Sequence, residues 1–93
     1  MTDPDRTAAH LAERILSAYA RQARGPTHPQ QEQSLLARLA EALQPAVREG
    51  EPASVSAANA TLDAWERAQP DIAGPRIRNL DLANGTVTLA GKA

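Results

Sequence analysis

The sequence predicts a mainly α fold of the α+β kind: a three-helix bundle with a C-terminal β-hairpin. Three observations lead there. Apolar residues recur at helical spacing over 11–19, 35–43 and 55–65. Gly25-Pro26 and Gly50-Glu51-Pro52 stand between those stretches, glycine ending a helix and proline refusing to continue it. After Pro75 the pattern changes to alternation around Asn84-Gly85, a strong hairpin signal. The expected layout is one domain over residues 1–93, with helices at about 4–24, 29–48 and 55–69 and the hairpin at about 78–91.

Each element follows from its residues. Asp3 is placed to cap the first helix and Pro4 to occupy its first position, where the missing N–H costs nothing. Leu11, Ile15, Leu16 and Tyr19, with Ala8, Ala12 and Ala23, make its apolar stripe, and His10, Arg14, Ser17 and Arg21 fall on the other side. Thr27 or His28 is expected to cap the second helix ahead of Pro29, and Leu35, Leu36, Leu39, Ala40 and Leu43 form its apolar face. Pro45 leaves two outcomes: an end near Gln44, or a kinked continuation to about Glu49.

Ser54 or Ser56 is the expected cap of the third helix, which carries Val55, Ala58, Leu62 and Trp65 on one face. Trp65 offers the largest single burial in the chain and is expected at its centre, near Leu39 or Leu43. With Asn84-Gly85 at the hairpin tip, Leu82 should face Val87 and Leu80 should face Leu89. Ile77 falls outside that alternation and belongs to a loop or a bulge. A lone hairpin is unstable in water, so this one rests on the helices or joins a partner's sheet.

Composition excludes much chemistry. The chain has no cysteine, hence no disulfide, thiolate or Cys-type zinc site. Its net charge of −1 exerts no general pull on nucleic acid or an anionic membrane. The acidic, polar start Met1-Thr2-Asp3-Pro4-Asp5 is unlike a secretory signal. No apolar run reaches the roughly 20 residues that span a bilayer. The sequons at Asn59 and Asn84 therefore read as coincidence, and the chain reads as cytoplasmic. Alanine is the commonest residue, phenylalanine is absent, and the aromatics are Tyr19 and Trp65. A core built from pieces so small favours a homodimer or a protein partner that adds buried area.

No catalytic residue emerges. His10 and His28 read as exposed or capping histidines, with no second ligand at metal-binding spacing. Asp63 and Arg67 stand four apart, an ordinary surface pair, and no serine has a base near it in sequence. No glycine-rich phosphate loop is present, so no cofactor, metal or small-molecule substrate is expected.

The string Thr61-Leu62-Asp63-Ala64-Trp65-Glu66-Arg67-Ala68 resembles the recognition-helix ending of phage-repressor-like helix-turn-helix proteins, where Trp-Glu-Arg-Gly is common. Ala68 replaces that glycine, and Pro45, Gly50 and Pro52 interrupt the interval where the preceding helix and turn would lie. Three helices followed by a hairpin is also the element order of a winged-helix module. That resemblance implies DNA binding through the third helix and the wing, with Arg67, Arg76 and Arg78 on the phosphate backbone. Residues 84–91 resemble the hairpin of BON-type lipid-associated domains, whose fold goes on to a further helix and strand.

The leading expectation is a non-catalytic interaction module, an adaptor or docking domain. It would bind a protein partner or a second copy through an apolar helix face or the hairpin edge, using Leu35, Leu36, Ile77 and Leu89.

Overall fold

The computed structural model describes residues 4–23 and 29–90. Helix α1 spans Pro4–Gln22, α2 Pro29–Glu49 and α3 Glu51–Ala68; strands β1 (Ile77–Asp81) and β2 (Thr86–Leu89) form one antiparallel hairpin. The expected caps at Asp3, Thr27 and His28, and the Gly25-Pro26 stop, lie outside the described residues.

Helix α2 packs on both α1 and α3, while β1 lies on α3 and β2 on α1. The hairpin thus stands opposite α2, in the position a fourth helix takes in a four-helix bundle. The core lies between these walls. Leu11, Ile15 and Tyr19 come from α1; Leu35, Leu39 and Leu43 from α2; Leu62 and Trp65 from α3; Ile77 and Leu80 from β1; and Ile72 from the loop before it. Trp65 is buried in the cluster that holds Leu39 and Leu43, as its size predicted.

Three local expectations require correction. First, neither Ser54 nor Ser56 caps α3. The N-cap is Gly50, with φ 113°, no side-chain cap bond, and Pro52 in the opening turn. Glycine reaches that φ without a Cβ clash, so one residue turns the chain from α2 into α3. Ser54 is fully buried one turn inside the helix, and its hydroxyl donates to the Gly50 carbonyl at 3.0 Å. Pro45 is exposed and α2 runs through it to Glu49, the longer of the two outcomes considered.

Second, the hairpin register differs. Leu80 stands opposite Val87, Asp81 opposite Thr86, and Ile77 opposite Leu89, with a bulge between Ile77 and Asn79. Leu82 lies in the loop instead of the ladder. Asp81 decides this. One carboxylate oxygen accepts the N–H groups of Ala83 and Asn84 at 3.1 Å each, the other accepts the Asn84 side-chain amide at 2.7 Å, and the Asp81 carbonyl accepts Gly85 N–H at 2.7 Å. Such Asx bonding favours a longer loop in which one residue takes positive φ. Here that residue is Gly85, at 66°, while Asn84 keeps negative φ.

Third, Asp63 does not pair with Arg67. It binds Arg76, with Oδ1 2.7 Å from Nη2.

Candidate functional site

Two polar features organise the hairpin side of the molecule. The first is a cluster around Glu66. Its Oε2 accepts the Tyr19 hydroxyl at 2.6 Å, Gly74 N–H at 3.0 Å and Arg76 Nη1 at 2.8 Å, and Oε1 accepts Arg76 Nη2 at 2.9 Å. Arg76 also donates through Nε to Asp63 Oδ1 at 2.8 Å and through Nη1 to the Gly74 carbonyl. Tyr19 packs directly against Gly74, since a Cβ there would come within 2.5 Å of its ring. The cluster therefore joins α1, α3 and the strand entrance.

Its electrostatics favour holding over reacting. Bidentate bonding to Arg76, helped by Tyr19 and Gly74, lowers the Glu66 pKa from 4.5 to about 2. Burial and the neighbouring Glu66 carboxylate push the Tyr19 phenol well above its ordinary value. A general acid or base works near its own pKa, and both groups are driven away from neutrality. Among the described residues, no three His, Asp or Glu side chains converge as a metal site, and no helix is long and apolar enough to cross a membrane.

The second feature is the unequal treatment of the two sheet edges. On the outer edge of β1, Asn59 of α3 serves as a surrogate strand. Ile77 N–H donates to Asn59 Oδ1 at 2.7 Å, and Asn59 Nδ2 donates to the Ile77 carbonyl at 3.0 Å. Asn59→Leu keeps the volume and removes both bonds, leaving Ile77 unpaired. The expected loss is about 2 kcal/mol in urea unfolding, and a loss below ~0.5 kcal/mol would show that Asn59 does not hold β1.

Among the described residues, no side chain bonds the outer edge of β2 in this way. Ala90 N–H points inward to the Arg76 carbonyl. Backbone groups alternate sides along a strand, so Thr86 and Thr88 turn theirs toward β1, and Val87 and Leu89 turn theirs outward. Among the described residues no strand lies beside that edge. The side chains of Val87 and Leu89 are only half-buried, whereas Ile77 and Leu80 opposite them are in the core.

A groove runs along this open edge. Arg14, Ser17, Ala18 and Arg21 of α1 face Thr86 and Val87 across about 260 Å³. It continues past His10 and Glu13 to Arg6 and Thr7, which face the turn at 82–85. A separate shallow groove of about 550 Å³ between α2 and α3 is floored by Ala42, Ala57, Ala60 and Ala64 and rimmed by Arg38, Glu41 and Thr61.

The residues singled out from sequence do not form one surface. Leu35 and Ile77 are in the core, 2% and 4% exposed, so they are not on a surface a partner reaches; Leu36 and Leu89 are half-buried on different elements. Arg67 and Arg78 are exposed, but Arg76 is committed to Asp63 and Glu66. Arg67 and Arg76 share a hollow with those same two carboxylates, which oppose a phosphate there. Sequence reading missed the Glu66 cluster and the Asn59 clamp, because their partners are 8 to 47 residues away and on other elements. One signal was present: a tyrosine on an apolar stripe needs a partner for its hydroxyl.

Compared with protein-family models, curated proteins and solved structures, the chain matches none.

Proposed function

We propose that this chain is a non-catalytic protein-interaction module that takes an extended partner segment onto the open edge of β2. The carrying observation is the asymmetry of the hairpin. Natural sheets block exposed edges; here Asn59 bonds both outward groups of Ile77 on the β1 edge, and the β2 edge keeps the outward groups of Val87 and Leu89 beside a groove. Strand addition supplies main-chain hydrogen bonds for affinity and side-chain positions for specificity. It also covers Val87 and Leu89, adding apolar area to a core poor in large residues.

The test is amide hydrogen exchange and NMR titration of the labelled chain with short β-prone peptides, and with a DNA duplex alongside. Binding peptides are expected to shift and protect the Val87 and Leu89 amides. Val87→Pro removes an outward donor and leaves the ladder bonds of Thr86 and Thr88 in place. It is expected to weaken peptide binding at least ~10-fold with little change in helical content. Peptides that protect only the alanine-floored groove, or DNA that shifts Arg67 and Arg78 while peptides shift nothing, would overturn the reading.

A further inference from the structure

We infer that the segment received by β2 is acidic, with carboxylates on the face that meets α1; this rests on the strand-addition reading. Along the outer flank of α1, His10, Arg14, Ser17 and Arg21 recur at helical spacing on one face. The flank follows the strand. A Cβ on Gly85 would come within 3.0 Å of His10, and Thr86 and Val87 lie beside Arg14 and Arg21. From His10 to Arg21 the helix rises roughly 16 Å, close to the ~13 Å of a four-residue strand. An incoming strand sits about 4.8 Å outside β2, directly over this row.

The charge of the row is opposite to that of the chain. Among the described side chains, Arg6, Arg14 and Arg21 face one carboxylate, Glu13, which leaves +2 there (three minus one) against −1 for the whole sequence. Among the described side chains, none of the three arginines has an ion-pair partner. A second copy is disfavoured as the occupant: pairing two β2 edges about a two-fold axis brings two basic flanks together. Nucleic acid suits the arginines but has no strand backbone to pair with Val87 and Leu89. An acidic peptide satisfies both the edge and the flank.

The experiment uses three peptides about eight residues long that alternate Thr with Glu, Gln or Lys, together with a single-stranded oligonucleotide. Each is titrated into the labelled chain at low and high salt. The Glu peptide is expected to bind at Val87 and Leu89 roughly tenfold tighter than the Gln peptide at low salt, with the gap closing as salt rises. R14E/R21E, on an exposed helix face, is expected to invert the order in favour of the Lys peptide with an unchanged circular-dichroism spectrum. Equal binding of all three peptides at the β2 edge overturns the acidic preference and leaves strand addition standing. No peptide binding at that edge overturns both. Tighter binding of the oligonucleotide to Arg14 and Arg21, or a peptide-free dimer that protects Val87 and Leu89, assigns the flank to nucleic acid or to a second copy instead.

Discussion

Trp65→Ala is expected to lower the unfolding free energy by about 3–5 kcal/mol, the range for removing a buried aromatic side chain. Trp65 is 4% exposed in the cluster shared by all three helices and the hairpin. Its neighbours cannot close the hole. The cluster is rich in small residues, Ala8, Ala12 and Ala58 among them, and holds few long side chains that could move in. The Arg38 guanidinium also stands 5.9 Å from the indole centroid, a modest cation–π contact that goes with the ring. A domain of this size is stable by only about 5–14 kcal/mol at ordinary values per residue. The variant should therefore unfold at much lower urea, followed by helical circular dichroism. A loss below ~1 kcal/mol would mean that the indole contributes little to the core.

Glu66→Gln is expected to cost about 2–3 kcal/mol and to remove a pH dependence. The glutamine retains the shape but loses the charge, and even with its oxygen turned to Tyr19 and Gly74 it places an amide donor against Arg76 Nη2. The sign of the pH effect follows from the direction of the shift. Glu66 falls from 4.5 to about 2 on folding, so its contribution is complete above pH 4.5 and drains away as pH falls toward 2. The full shift corresponds to about 3 kcal/mol. Solvent reaching Arg76, whose side chain is 32% exposed, brings the expected figure nearer ~2 kcal/mol. Urea melts through the acid range check it: the parent chain should lose more stability than the Glu66→Gln variant over that window. Parallel losses in the two proteins would show that the cluster carries no such linkage.

These effects separate what is local in this chain from what is not. Trp65 was readable as core because a helical stripe and a large apolar ring depend only on neighbours three and four residues away. The three helices and the existence of a hairpin were readable for the same reason. The hairpin register was not, although the residues are close in sequence. Asn84-Gly85 suggested a two-residue turn, and the Asp81 side chain, outbidding it with three hydrogen bonds, produced a longer loop. Gly50 displaced the serine caps in a similar way, because joining α2 to α3 through one residue requires a backbone conformation that serine resists.

The candidate site was the least legible part. Leu35 and Leu36 are adjacent on one helix, and packing against the rest of the core decided that the first is buried and the second half-buried. Arg76 looked like a free cation on a hairpin until the fold brought Asp63 and Glu66 beside it. Helical periodicity and turn chemistry are short-range, and they determined the element types and most of the apolar core. The open edge of β2, the Asn59 bonds to β1 and the placing of the basic α1 flank beside the open edge arose only when the hairpin settled across α1 and α3. Edge exposure and charge opposition depend on which surfaces meet, and that is a property of the packed chain.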